Sequence, residues 1–109
     1  MKKFMVLYMM PQAAMAEMMQ NSTPEQRKAS MDEWGAWMEG HKADFADMGA
    51  LFGKNMRVTK GGGAMAPNDI GGYSIMQAES QEEVAKMLAD NPSFNMPGSF
   101  VEVMELMPM

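Results

Sequence analysis

His41 is the only histidine among 109 residues, and the only side chain whose ordinary pKa lets it exchange protons near neutral pH. Trp37 precedes it by four residues, Asp44 follows by three and Phe45 by four. On a helix those spacings put all of them within side-chain reach of the imidazole. Asp44 can then accept the proton on one ring nitrogen and fix the tautomer, leaving the other nitrogen as a general base. Trp37 and Phe45, with Trp34 one turn earlier, supply aromatic walls for a small apolar or aromatic ligand. A second acid, Asp69, stands before Ile70-Gly71-Gly72-Tyr73, where two glycines permit close approach. If its loop folds over a sheet, Asp69 and Tyr73 face His41 across a cavity. Each residue also has a plainer reading. His41 can be a half-buried histidine with its polar tip at a helix edge or dimer seam, and Asn68-Asp69 an ordinary turn.

Other chemistries fail for want of residues. Without cysteine there is no disulfide, thiolate nucleophile or cysteine metal site, and one histidine does not make the usual zinc sets. Gly61-Gly62-Gly63 lacks the Lys-Ser/Thr ending of a phosphate loop and leads toward a strand. Glu102 and Glu105 have an odd separation, so on a strand they point to opposite faces and cannot pair. Eighteen methionines invite copper(I), with Met104, Met107 and Met109 spaced as a cluster that could hold it. The simpler account is flexible core filler in place of leucine, which occurs only four times. No cofactor and no metal are expected.

The formal charge of −5, from 9 Lys+Arg against 14 Asp+Glu, repels phosphate backbones, so nucleic acid is not an expected partner. The opening MKKFMVLYMMPQAAMA imitates a secretory signal, but its apolar run of seven residues is short and Pro11 closes it. No run reaches membrane-spanning length. The expectation is a cytoplasmic chain with no membrane partner.

Placing the candidate residues falls to a short series of elements. Residues 3–10 are predicted as a strand ended by Pro11, and 12–20 as a helix with Met15, Met18 and Met19 on one stripe. Thr23 caps a long helix, with Pro24 at its first position and Gln26 reaching back as a capping box. The stripe Met31, Trp34, Met38, His41, Phe45 and Met48 carries this helix to about Met48, where Gly49 caps it. Gly35 and Gly40 inside it predict a kink or a close approach. Residues 51–59 and 70–78 are predicted strands, joined by residues 60–69 as a long, mobile hairpin loop. Ser80 and Glu83 form a second capping box for a helix ending near Asp90, and 99–107 is the last strand. The order is βαββαβ, an α+β ferredoxin-like arrangement: a four-stranded antiparallel sheet with helices on one face, in one domain of residues 1–109. The first strand is apolar on both sides, yet the helices cover one sheet face. The other face is therefore expected to meet a second copy of the chain.

The segments KKFMVLYM, ADMGALFG, NDIGGYSIMQAESQEEVAKMLADNP and SFVEVMELMPM together resemble the YCII-related family, with its DGPF-type members, of the dimeric α-β barrel superfamily. The likeness spans nearly the whole chain. It implies the ferredoxin-like fold, a homodimer and, for some members, a His–Asp site whose histidine falls near Met38. Where DGPF-type members carry that tetrapeptide, this chain reads Gly61-Gly62-Gly63-Ala64-Met65-Ala66-Pro67. The functional expectation is a homodimer with an apolar cavity that binds a small ligand and performs isomerase- or lyase-type proton transfer. His41 is its base, Asp44 or Asp69 the orienter, and Trp34, Trp37, Phe45 and Tyr73 the walls. The alternatives are a non-catalytic ligand-binding domain and a structural dimerisation module.

Overall fold

The computed structural model describes residues 1–108; Met109, one of the three methionines weighed for copper, lies outside them. The elements run β1 (Lys2–Met9), α1 (Gln12–Asn21), α2 (Pro24–Gly40), β2 (Phe45–Leu51), β3 (Met56–Thr59), β4 (Gly62–Met65), β5 (Ile70–Ala78), α3 (Gln81–Met87) and β6 (Phe100–Glu105). Four strands form one antiparallel sheet in the order β2-β5-β1-β6, the ferredoxin-like arrangement. Strand periodicity then sorts the side chains. Phe4, Val6 and Tyr8 are buried beneath the helices with Ser74, Met76 and Ala78 on the same face of β5, joined by Trp37, Val84 and Leu88. Met5, Leu7, Met9 and Ile75 occupy the other face, half-buried by their strand neighbours alone.

Helix α2 begins where local chemistry puts it. Thr23 Oγ1 accepts from the Gln26 N–H at 3.1 Å, and Gln26 Oε1 accepts from the Thr23 N–H at 2.8 Å, with Pro24 following the cap. It ends well before the expected Met48. Gly40 is its last residue and His41 its C-cap, with φ −112° and ψ 14°. The chain then makes a single 3-10 turn, Lys42–Asp44, and enters β2. Phe45 and Met48 are therefore strand residues, and Met31 is 73% exposed rather than on a core stripe. The reason is non-local: β5 needs a partner along its outer edge, and residues 45–51 supply it. Gly49 caps no helix; it has φ +81° in the irregular middle of β2, and a Cβ there would lie 1.7 Å from the Tyr73 carbonyl oxygen. Gly35 lies in open space, which removes the expected close approach.

Three further expectations change. The predicted strand 51–59 is split: Leu51 ends β2, while β3 pairs with β4 in a separate two-stranded hairpin. The latter strand lies within residues 60–69, the segment expected to be a long, mobile hairpin loop. Helix α3 stops at Met87, and Glu83 bonds the Glu79 N–H rather than completing a box on Ser80, although Ser80 still accepts from the Glu83 N–H. Methionine as core filler holds for Met10, Met76 and Met96, which are buried, whereas Met18, Met19, Met31, Met104 and Met107 are exposed. Among the described residues, no helix is long and apolar enough to cross a membrane.

Candidate functional site

The end of α2 gathers the residues first singled out. His41 is carried at the helix C-cap, and its Nδ1 lies 3.5 Å from Asp44 Oδ2, within ion-pair range, because the 3-10 turn brings the acid back toward the helix. The two side chains are 23% and 37% exposed, so the pair stands at the surface without being free in solvent. The Trp37 ring lies 4.8 Å from the imidazole, tilted by 44°, with Phe45 5.7 Å from Trp37 in an edge arrangement. Trp34 continues the series at 6.1 Å and meets Tyr8 at 5.2 Å. The rings are held from below: Trp37 is buried, and its indole Nε1–H donates to Asp90 Oδ1 at 3.0 Å. That bond satisfies a donor that would otherwise be stranded in the core. What the arrangement offers is an imidazole with one nitrogen facing a carboxylate, the other unengaged by it, and an aromatic floor.

Asp69 and Tyr73 do not join it. Phe45 is paired with Met76, six residues along β5 from Ile70, so Asp69 lies roughly 20 Å away at the opposite end of the sheet. There Asp69 Oδ1 accepts from the Gln12 N–H at 3.1 Å, satisfying an orphan donor at the start of α1. Tyr73 projects from the open sheet face, away from the helices. Its hydroxyl donates to Asp47 Oδ2 at 3.0 Å, and its ring stacks on Phe52 at 5.6 Å. The Asp47 hydrogen bond, reinforced by the carboxylate charge, raises the Tyr73 pKa above the ordinary phenol value. In one protomer His41, Asp69 and Tyr73 do not share a cavity.

A second polar chain crosses the sheet interior. Tyr8 Oη lies 3.0 Å from Ser74 Oγ, which in turn donates to the Met48 carbonyl at 2.8 Å. Burial pushes the Tyr8 phenol upward in pKa, partly offset by its bond to Ser74.

The model of the YCII-related domain matches residues 1–109. The chain belongs to the YCII-related family. Among solved structures it is similar to 5-chloro-2-hydroxyhydroquinone dehydrochlorinase from Burkholderia phenoliruptrix AC1100 in complex with 2,5-dihydroxybenzoquinone, at 18% identity and a TM-score of 0.48. That likeness covers 92% of this chain and 90% of the other. No curated protein matches the chain in sequence.

Within this YCII-related chain, sequence reasoning missed Asp90 and Asp47. Asp90 could have been sought, since a buried tryptophan N–H demands an acceptor, but nothing in the spacing of residues 37 and 90 names it. Asp47 was hidden by the helical assignment of its segment. Among the described residues, no group of three His, Asp or Glu side chains is arranged to hold a metal ion.

Proposed function

We propose that this YCII-related protein is a cytoplasmic homodimer that binds a small, largely apolar or aromatic ligand and moves a proton on it, as an isomerase or lyase does. His41 is the general base. Asp44, rather than the distant Asp69, orients it, and Trp37, Phe45 and Trp34 form the floor. The contact of His41 Nδ1 with Asp44 at 3.5 Å carries the reading, because it leaves Nε2 to act on a ligand lying against Trp37. Nε2 takes a proton from a carbon next to a carbonyl. The electron pair left behind either re-forms the bond elsewhere, with the proton returned to another carbon, or expels a leaving group from the neighbouring carbon.

The test is hydrogen exchange in D2O with a panel of small enolisable ketones and hydroxylated cyclohexadienones, followed by proton NMR. The wild type should exchange a carbon-bound proton, and His41→Gln should slow this by about 10²–10⁴-fold with folding intact. Equal exchange by His41→Gln would remove His41 from the chemistry.

One observation favours the non-catalytic alternative. An open cleft of about 430 Å³ lies at the other end of the sheet, between Gln12, Phe52, Lys54, Asn55, Met65 and Ile70. A ligand seated there would be held without contact to His41. Binding that survives His41→Gln but is lost in Phe52→Ala would support that reading instead.

A further inference from the structure

We propose that the β3–β4 hairpin is an arm that docks on a second copy of this chain, at the start of the partner's β6. The inference rests on the homodimer of the proposed function, formed through the open sheet face, and adds to it a contact that the stacked sheets alone do not contain.

The hairpin pairs only with itself. Every residue of both strands is exposed, so it has no core of its own, and an isolated two-stranded hairpin is marginally stable in water. Its pattern is two-faced all the same. Met56, Val58 and Met65 share one side, at 57%, 73% and 56% exposure, while Arg57 and Thr59 point to the other. Leu51, 80% exposed, and Phe52, 48% exposed, lead into it. Such a face is built to be covered.

Charge identifies the cover. Between Phe52 and Asn68 the chain carries Lys54, Arg57 and Lys60 and no acid. The remaining residues hold six cations against fourteen acids, so a cationic arm projects from a strongly anionic body. The surface complementary to the arm is therefore the body of another copy.

Topology narrows the place. When two sheets stack about a two-fold axis running along the strands, edge strand β2 of one protomer lies over edge strand β6 of the other. Ala50, Tyr73, Leu7 and Glu102 form one row across the sheet, so the chain leaves β2 level with the start of β6. There the open face presents Phe100, 47% exposed, and Glu102. The apolar side of the arm covers the partner's Phe100, and Lys54, at the base of the arm, faces the partner's Glu102.

Sedimentation equilibrium and amide hydrogen exchange on the full chain test this. Met56→Asp with Val58→Asp should weaken the dimer at least about tenfold while leaving the fold unchanged, since neither residue reaches the core. Lys54→Glu should weaken it and reduce its salt sensitivity, and adding Glu102→Lys should restore much of the loss. Amides of residues 56–65 should be protected at dimeric concentrations and lose that protection on dilution. An unchanged dimer in the Met56→Asp/Val58→Asp variant, with Ile75→Lys still separating the protomers, would overturn the arm and leave the sheet-face reading standing. A wild type that stays monomeric overturns both. Protection of the arm only by anionic vesicles or polyphosphate assigns it another partner and overturns the proposal.

Discussion

Tyr8, Ser74 and the carbonyl of Met48 form a chain of two hydrogen bonds that ties three strands together beneath the helices. Their order sets the outcome of removing each. Tyr8→Phe deletes one bond and leaves Ser74 bonded to Met48, so it should lower stability by about 0.5–1.5 kcal/mol. Ser74→Ala strands both the Tyr8 hydroxyl and the Met48 carbonyl and should lower it by about 1–3 kcal/mol. Urea unfolding in which Ser74→Ala is the milder change would contradict this order. Alkaline pH probes the same group. Because burial raises the Tyr8 pKa in the folded state, the folded chain holds that proton more tightly than the unfolded chain. Its stabilising contribution is full below about pH 10, the ordinary phenol value, and disappears as pH rises through the higher folded value. Wild type should therefore lose more stability than Tyr8→Phe above that pH, with tyrosine ionisation followed at 295 nm. Parallel losses in the two proteins would show that Tyr8 does not couple to folding.

Elements are where local and distant forces divide. The Thr23–Gln26 box is made by residues three apart, so its signature in sequence was sufficient. The end of the same helix was not legible, because residues 45–51 carry a helix-compatible stripe and become a strand only by pairing with β5. Two glycine substitutions check this division in opposite directions. Gly35→Ala sits in α2 with no atom near the added carbon, so it should raise stability by about 0.5–1 kcal/mol. Gly49→Ala must abandon φ +81° and clears the Tyr73 carbonyl only by moving β2 away from β5. It should lower stability by at least about 1–3 kcal/mol. Thermal melts in which the two variants behave alike would refute the account of β2.

The whole molecule is thin for its breadth, with extents of 44 × 40 × 20 Å. Its radius of gyration of 15.3 Å exceeds the roughly 13 Å usual for a compact chain of this length. A single helix layer on one sheet and a projecting hairpin account for both. The uncovered face brings Met5, Leu7, Ile75 and Met104 together, with Met104 43% exposed, and apolar strands laid side by side in water favour association. At micromolar concentration the protein should sediment as a dimer. Ile75→Lys, at the middle of that face, should make it a folded monomer. A wild-type monomer of 12.1 kDa at the same concentration would remove the basis for the dimer.

Periodicity, caps and glycine–proline punctuation are local properties. From them the sequence by itself determined the α+β class, the βαββαβ order, the start of the long helix and the strand 70–78. The near neighbours Trp37, His41, Asp44 and Phe45 were legible for the same reason: they remain adjacent whether the chain continues as a helix or turns after Gly40. Tertiary structure alone decided the rest. Pairing with β5 converted residues 45–51 to strand, sent Tyr73 to the open face and held Asp69 at the far end of the sheet. It also gave Trp37 its acceptor in Asp90, 53 residues away. Those outcomes depend on which strand edges and polar groups meet across the fold, and sequence spacing carries no record of such meetings.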